Sequence, residues 1–480
     1  MTRPKVGAEL ESCNRYAARL AERGGMAGRS DRVEECVVAP SHKLAKDDMI
    51  GGLDMEIHIV QPGETVYGIA GRYGVDPELL RLSNGVPADG TLAVGQTLVV
   101  QQVQTFHVVQ PGETLTSVAR RYGVTLRSLY RNNFWLEGSP AILAGDVLVI
   151  TYAGEKLGGT YTNGYAYPFI RQTLLSSTLP YMSQLTPFTY GIDAAGGLLP
   201  LDDGELLSEA RRLGTAPLMH LSTLTEDGHF SSERAVMILT DSGLRYQLIR
   251  QIVETISRKG YQGLDVDFEY IPPRQREDYA RFIRELRAQL APSGLPVVVA
   301  LAPKTNAQQR GLLYEAHDYA LLGAAADFVL LMTYEWGYTY GPPMAVAPLP
   351  NVRQVLDYAV TEIPREKIYL GVPYYGYDWP LPFRQGETRA RSLSNQAAVD
   401  LAVARGADIQ YDETSQAPWF HYTAEDGTTH EVWFEDARSL SAKLRLIREY
   451  GLHGAGYWSL MRPYPQGWTL LNALYDVLDA

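Results

Sequence analysis

One stretch of this chain decides both its fold and its chemistry: Gly263-Leu264-Asp265-Val266-Asp267-Phe268-Glu269-Tyr270. Apolar and acidic residues alternate along it, which predicts a buried strand. Residues two apart in a strand share a face, so Asp265, Asp267 and Glu269 are expected to point the same way. Carboxylates this close disfavour each other's ionisation, so at least one should stay protonated near neutral pH, as a general acid requires. A solvated edge strand or an oxygen-ligand cation site is the alternative, but the apolar partners favour the buried strand.

About 320 residues follow from Thr160 onward, and short apolar runs alternate with helical stretches through them. This alternation favours an α/β fold, a (β/α)8 TIM barrel over 160–480, above a two-domain α+β arrangement. Between the last two strands, strand-like pieces predict a small antiparallel insertion; they lie at 408–411, 419–422 and 431–434. The predicted barrel strands are 164–167, 186–192, 216–221, 263–268, 296–302, 328–333, 368–373 and 454–459.

The acidic strand resembles the DxxDxDxE motif of family 18 glycoside hydrolases, chitinase-like barrels that use substrate-assisted catalysis. Later segments fit the same family: Met332-Thr333-Tyr334-Glu335 is similar to its sixth-strand signature, Gly371-Val372-Pro373-Tyr374-Tyr375-Gly376 to its seventh, and Tyr457-Trp458 to its last. Two positions depart from the pattern. Gln262 stands at the first Asp of the motif, and Glu335 replaces the Asp that usually follows the tyrosine.

The resemblance implies a role for each matching residue. Glu269 would be the catalytic acid, with Asp267 and Asp265 behind it and Tyr334 as a donor to the substrate. No metal and no cofactor would be needed. The residues expected to contact the sugar are Met332, Glu335, Trp336, Tyr375 and Trp458.

An internal repeat lies on the N-terminal side of the barrel. The run His58-Ile59-Val60-Gln61-Pro62-Gly63-Glu64-Thr65 recurs 49 residues later as His107-Val108-Val109-Gln110-Pro111-Gly112-Glu113-Thr114. In each copy a strand ends at Pro-Gly, Glu-Thr opens a helix, and a second helix and a final strand follow. The two units, at 55–101 and 104–151, are therefore predicted to be β-α-α-β modules.

These units resemble LysM modules, which bind glycans that contain N-acetylglucosamine, such as peptidoglycan and chitin. The resemblance places the sugar in a shallow groove formed by the strand–helix turn and the helix–strand loop. The expected groove residues are Gly63, Glu64, Thr65 and Asn84 in the first copy and Gly112, Glu113, Thr114 and Asn133 in the second. If these modules only target the protein to the polymer, a chain that starts near Thr160, and so lacks them, should still cut soluble fragments.

Composition excludes several other functions. Lys and Arg number 43 against 55 Asp and Glu, a net charge of −12. Neither a general nucleic-acid binder nor an anionic-membrane binder has this balance, because both need a basic face. Residues 1–54 are polar and poorly patterned, and they are predicted to be a disordered tail without a secretory signal. The two cysteines, Cys13 and Cys36, lack the spacing of a metal or redox site.

Together, two LysM-like units and a family 18-like barrel resemble the spore cortex-lytic N-acetylglucosaminidases of endospore-forming bacteria. This resemblance implies a monomer that is made in the cytoplasm without a signal peptide and acts on the peptidoglycan of the spore cortex. A chitin-directed enzyme, or a glycan-binding protein without catalysis, is the alternative. Position 269 separates an enzyme from a protein without catalysis, and it holds the acid that catalysis needs.

Overall fold

The computed structural model describes residues 55–480. The predicted tail, 1–54, lies outside the described residues, and so do Cys13 and Cys36. Within the described part of the chain, no helix is long and apolar enough to cross a membrane.

Each N-terminal repeat forms an antiparallel strand pair that encloses two helices, as the sequence predicts. The elements of the first module are β1 (Met55–Ile59), α1 (Val66–Tyr73), α2 (Pro77–Ser83) and β2 (Thr97–Gln101). Those of the second are β3 (Val103–Val108), α3 (Leu115–Tyr122), α4 (Leu126–Asn132) and β4 (Val147–Tyr152).

The repeated motif explains where the first helix of each module begins and ends. The Thr65 hydroxyl accepts the Gly68 N–H at 3.1 Å, and the Thr114 hydroxyl accepts the Ser117 N–H at 3.1 Å, so both threonines are N-caps. Gly74 ends α1 with φ +68°, a left-handed backbone conformation that favours glycine.

A nearly closed parallel barrel forms the rest of the chain. Its strands and those of its insertion are β5 (Gly159–Ala166), β6 (Gln184–Pro187), β7 (Ala216–Pro217), β8 (Met219–Ser222), β9 (Leu264–Asp267), β10 (Val297–Leu301), β11 (Phe328–Leu331), β12 (Ile368–Pro373), β13 (Tyr375–Pro380), β14 (Arg391–Ser394), β15 (Gln410–Asp412), β16 (Ala417–Thr423), β17 (Thr429–Trp433), β18 (Gly454–Trp458) and β19 (Asp476–Val477). Its helices are α5 (Gln172–Thr178), α6 (Gly204–Leu213), α7 (Ser232–Thr240), α8 (Ser242–Lys259), α9 (Arg276–Leu290), α10 (Tyr319–Ala325), α11 (Leu349–Glu362), α12 (Asn395–Arg405), α13 (Ala437–Tyr450) and α14 (Pro465–Leu474).

The strand order confirms the predicted barrel. Around the sheet, the parallel strands run β7-β6-β5-β18-β12-β11-β10-β9-β8. Because β7 and β8 are consecutive pieces of one strand position, the ring holds eight positions, and a parallel bridge between Tyr190 and Leu221 links β8 back toward β6. The short β19 pairs in parallel with the first two residues of β5, Gly159 and Thr160.

The insertion after β12 is larger than the sequence predicts. It is a five-stranded antiparallel sheet in the order β14-β13-β17-β16-β15. The sequence located the last three strands but not β13 and β14. One face of this sheet is covered by α12, with Phe420 and Val432 fully buried beneath the helix.

The first module is fastened to the barrel by a buried polar network around Gln466 on α14. Its side-chain N–H groups donate to the Thr97 carbonyl at 2.6 Å and to Asn84 Oδ1 at 3.2 Å. Its carbonyl accepts from the Ala437 N–H at 3.1 Å and from the Thr97 hydroxyl at 3.2 Å. Gln466 is only 6% exposed, so all of these groups depend on one another for hydrogen bonds.

The second module shares its apolar core with the barrel. Leu129 and Val118 belong to the same buried cluster as Tyr181 and Trp468. The Tyr181 hydroxyl donates to the Arg131 carbonyl at 2.7 Å, which ties α4 to the barrel. A chain that starts near Thr160 would therefore expose the apolar surface that now packs against the second module. That such a chain still cuts soluble fragments stays a prediction.

Replacing Gln466 with Ala is expected to lower the free energy of unfolding of the full chain by about 1–3 kcal/mol, because buried donors and acceptors lose their partners. Urea denaturation followed by circular dichroism measures the loss. Gln308, an exposed loop residue, provides the control as Gln308→Ala. Equal midpoints for the two variants would contradict the coupling between module and barrel.

Candidate active site

Asp265 lies at the centre of the barrel on β9. Its side chain is fully buried, and Oδ2 accepts the Tyr165 hydroxyl at 2.6 Å, while Oδ1 has no hydrogen-bond partner in the part of the chain that the structure describes. Burial raises the pKa of Asp265 to about 6, although the hydrogen bonds from Tyr165 and Asn163 oppose the shift.

Asp267, two residues further along the same face, is 6% exposed. Burial raises its pKa well above the usual range, and the neighbouring charges of Glu269 and Asp265 raise it further. Its Oδ2 lies 4.0 Å from His220 Nε2, and its Oδ1 has no hydrogen-bond partner among residues 55–480. Burial lowers the pKa of His220 to about 3, so this imidazole is neutral and brings no positive charge to the carboxylate.

Glu269 lies beyond the end of β9, which stops at Asp267. The expectation that all three acids sit on one regular strand therefore holds for the first two only. Burial, followed by the charge of Glu335, raises the pKa of Glu269 to about 7. A carboxylic acid that keeps its proton up to neutral pH is suited to general acid catalysis.

Glu335 follows β11 with a left-handed backbone, φ +66°, which a residue with a side chain rarely adopts. Its carboxylate accepts the Tyr375 hydroxyl at 2.5 Å and the Tyr377 hydroxyl at 3.0 Å. Burial raises the pKa of Glu335, and these two hydrogen bonds oppose the rise. Glu335, which replaces the Asp of the family pattern, thus links the barrel acids to β13 of the insertion.

Of the remaining predicted barrel residues, Tyr334 interacts electrostatically with Asp267 and Glu269. Burial raises the pKa of Tyr334 well above its usual value, so its hydroxyl stays a donor. Trp458 is half-buried at the end of β18, with its ring centroid 5.0 Å from that of Phe188 and 5.7 Å from that of Tyr165. Met332 is half-buried and packs against the same aromatic cluster. Trp336 is half-buried and packs against the barrel core.

Sequence reasoning missed three residues of the site: Tyr165, His220 and Tyr377. Tyr165 lies in a predicted strand, and its inward position was readable from strand alternation. His220 also lies in a predicted strand, and its Nδ1 is 2.5 Å from the Thr189 hydroxyl. Tyr377 lies in β13, which was not predicted, so no signal pointed to it.

The structure corrects two of the expected LysM contacts. Asn84 is 2% exposed and Asn133 is 1% exposed. Each amide bonds the backbone of its own module: Asn84 donates to the Val99 carbonyl and accepts the Val99 N–H, and Asn133 does the same with Val149. Each asparagine thus bonds both the end of the second helix and the last strand of its module, and supplies a partner for the backbone at that buried helix end. Neither side chain is exposed enough to contact a sugar.

The turn residues of each module remain near the surface, but their side chains are already bonded. The Gln61 N–H, with His58 and Arg72, lowers the pKa of Glu64 to about 2. Glu113 repeats this arrangement, accepting the Gln110 N–H at 2.8 Å and lying 2.6 Å from His107 Nε2. At Gly63, with φ +81°, no atom lies within 4 Å of where a Cβ would stand, and Gly112 is equally open.

These observations define a class of protein. At the carboxyl ends of parallel barrel strands, where the active sites of such barrels lie, Glu269, with a pKa raised to about 7, stands beside the buried carboxyl group of Asp267 and near the half-buried Trp458. Among residues 55–480, no three His, Cys, Asp or Glu side chains are arranged to hold a metal ion. The arrangement is that of a glycoside hydrolase, in which paired acids act on a sugar ring.

Comparison with known proteins identifies the family. Residues 228–462 match glycosyl hydrolases family 18, and residues 58–101 and 107–151 match the LysM domain. The cortical fragment-lytic enzyme of Bacillus subtilis (strain 168) is 41% identical over 434 residues, 88% of this chain and 99% of that protein. The chain belongs to glycosyl hydrolases family 18 and carries two LysM domains.

Solved structures agree with this assignment. The spore cortex-lytic enzyme SleL of Bacillus megaterium QM B1551 superposes with a TM-score of 0.75 at 35% identity, covering 89% of this chain and 100% of that one. A chitinase from Chromobacterium violaceum superposes with a TM-score of 0.61 at 26% identity over 65% of this chain and 98% of its own.

The pKa of Glu269 predicts how hydrolysis depends on pH. A general acid works in its protonated form, so the alkaline limb of kcat/KM should fall as the pH rises through about 7. Glu335→Gln removes a negative charge that raises this pKa, so the alkaline limb should move to lower pH. A pH profile of kcat/KM measures the shift, with Glu387→Gln, a change at an exposed insertion residue, as the control. An alkaline limb that stays in place would contradict the coupling between Glu335 and Glu269.

Proposed function

We propose that this protein is an N-acetylglucosaminidase of the spore cortex that hydrolyses β-1,4 bonds after N-acetylglucosamine. The observation that carries the proposal is the pairing of Glu269, protonated to about pH 7, with Asp267, whose Oδ1 is an unused acceptor inside the site. The relatives named for lysis of cortex or cortical fragments support the choice of substrate.

Glu269 acts first as an acid and then as a base. Its proton passes to the oxygen of the leaving sugar while the glycosidic bond breaks, and its carboxylate later takes a proton from the attacking water. Its raised pKa makes the first step available near neutral pH, and the charge of Glu335 helps to keep the proton in place.

The nucleophile is the substrate's own 2-acetamido oxygen, which attacks the anomeric carbon, as in the substrate-assisted exception to two-carboxylate catalysis. Asp267 and Asp265 share a proton, and when that proton resides on Asp265 the Asp267 carboxylate accepts the acetamide N–H and offsets the positive charge of the oxazolinium-like intermediate. Tyr334 donates to the acetamide oxygen, and Asp265, held by Tyr165, tunes the proton affinity of Asp267. Trp458 stacks under the sugar at the cleavage site.

This mechanism sets the position of the cut. The sugar on the glycone side of the broken bond must carry a free N-acetyl group. Muramic-δ-lactam, the modified sugar of the spore cortex, has its amine closed into a ring and lacks that group. Cleavage should therefore follow N-acetylglucosamine.

The LysM modules supply binding to the same polymer. Their open Gly63 and Gly112 turns present backbone groups to a glycan, and two linked sites raise the apparent affinity for a polymeric wall through effective concentration. The working protein is a peptidoglycan-bound monomer of the spore coat and cortex region, with Met332, Trp336 and Tyr375 lining its cleft.

Glu269→Gln is expected to lower kcat on purified cortex fragments by about 10²–10⁴-fold, because the amide keeps its volume but cannot deliver a proton. Binding of the fragments, followed by tryptophan fluorescence, should persist. Mass spectrometry of the new reducing ends identifies the sugar at the cut. Normal turnover by this variant, or reducing ends at muramic acid, would refute the proposal.

Asp267→Asn should impair turnover severely, because a neutral amide cannot offset the charge of the intermediate, and Asp265→Asn should be milder. A thiazoline analogue of N-acetylglucosamine should inhibit the wild-type protein by imitating that intermediate. The order of kcat values and the inhibition constant measure both effects. Cleavage of a de-acetylated substrate at a similar rate would rule out the acetamide nucleophile.

A further inference from the structure

The peptide that precedes the proposed acid lies beyond the regular pairing of the barrel sheet. β9 pairs with β10 as far as Val266 and with β8 as far as Asp267. Phe268 follows the last paired position, and Glu269 comes one residue later. Burial and the charge of Glu335 raise the pKa of Glu269, and no hydrogen bond from residues 55–480 is among the causes. The position of this acid therefore depends on how the backbone at Phe268 is held.

A buried histidine holds this backbone. His317 Nε2 lies 2.9 Å from the Phe268 carbonyl oxygen, and His317 Nδ1 accepts the Ala302 N–H at 2.8 Å. All three residues are fully buried. Ala302 comes directly after β10, so one imidazole joins the ends of two neighbouring barrel strands. The Phe268 ring packs parallel to that of Tyr279 on α9, with centroids 5.7 Å apart, which fixes the side chain while His317 fixes the carbonyl.

The two hydrogen bonds determine the state of the imidazole. Nδ1 accepts from an N–H and so carries no proton, and Nε2 must carry the proton that it donates to the carbonyl. Burial lowers the pKa of His317 to about 4, and the Lys304 cation lowers it too, although the hydrogen bond to Phe268 opposes both. Lys304 is itself buried, and its Nζ donates to the His317 carbonyl at 3.1 Å. The ring is thus a neutral link whose one donor and one acceptor are both in use.

Tyr319 offers a comparison within the same buried cluster. Its hydroxyl donates to the Ala302 carbonyl at 2.7 Å and accepts the Lys304 N–H at 2.9 Å. Tyr319 therefore holds the chain after β10, as His317 does. Of the two side chains, only His317 also bonds the end of β9, which leads to the acid.

We propose that His317 is a positioning residue for the acid: by holding the Phe268 carbonyl, it keeps Glu269 at a fixed place relative to Asp267 and Glu335. The proposal rests on the role given to Glu269 above and on no particular glycosidic bond. Misplacing a reacting group by about 1 Å can slow a reaction by about 10²-fold. A released strand end should therefore slow turnover while leaving the groups that bind the glycan in place.

Two substitutions of His317 separate its two links. His317→Asn places an amide oxygen where Nδ1 stands, so it can accept the Ala302 N–H, but the shorter side chain cannot reach Phe268. His317→Gln places its amide where Nε2 stands, so it can donate to Phe268 and gives up the bond to Ala302. Each variant loses one buried hydrogen bond, so both should lower the urea midpoint by a similar amount.

His317→Asn is expected to lower kcat on cortex fragments about 10–100-fold with KM changed less than about threefold, whereas His317→Gln should keep kcat within about threefold of the wild type. The alkaline limb of kcat/KM should move to lower pH in His317→Asn, because a displaced Glu269 loses part of the burial and of the Glu335 charge that raise its pKa. Tyr319→Phe removes hydrogen bonds at β10 only, and it is the control that should keep the wild-type kcat and limb.

Equal kcat values for His317→Asn and His317→Gln at equal folded fractions, measured by circular dichroism, would overturn the positioning role. If His317→Asn does not fold, His317→Gln decides: a kcat far below that of Tyr319→Phe contradicts the proposal, and an equal kcat supports it. The assay counts all new reducing ends. Cleavage at a different bond would therefore refute the proposed function and leave the comparison of these variants intact.

Discussion

The structure depends on placing three acidic groups together in one barrel mouth. The groups that shift the pKa of Asp265, Asp267 and Glu269, apart from burial, are other carboxylates and neutral hydrogen-bond donors. A Lys or Arg in this place would lower those pKa values and remove the proton that a general acid must carry. Tyrosine hydroxyls and a neutral His220 therefore surround the cluster, because they can hold carboxyl groups without fixing them in the ionised form.

Local pattern predicted the parts of the fold in which one segment carries its own signal. The alternation of Leu264 and Val266 with acids marked β9, and the repeated Pro-Gly-Glu-Thr turn marked both modules. The sequence did not reveal the hydrogen-bond partners that come together only when the barrel closes. Tyr165 and Asp265 lie 100 residues apart and touch because β5 and β9 belong to one ring. The roles of Asn84 and Asn133 were hidden for the same reason, since a polar residue near a loop gives no sign that its amide will be buried.

The connection between modules and barrel changes how the binding of a wall polymer is understood. A single residue, Gln102, separates β2 from β3, and the second module shares a core with the barrel. Flexible tethering would spread the modules over many orientations, whereas packing of this kind fixes them relative to the cleft.

Glu335 connects the insertion sheet to the acids of the barrel. An aspartate at this position would place its carboxylate one methylene closer to the backbone, further from the two hydroxyls on β13 that now hold it. With glutamate, one carboxylate bonds Tyr375 and Tyr377 of the insertion and at the same time raises the pKa of Glu269 in the barrel. A movement of the insertion sheet would move that charge and so change the proton affinity of the acid. The insertion therefore contributes to the electrostatics of Glu269, because its tyrosines hold the carboxylate whose charge raises this pKa.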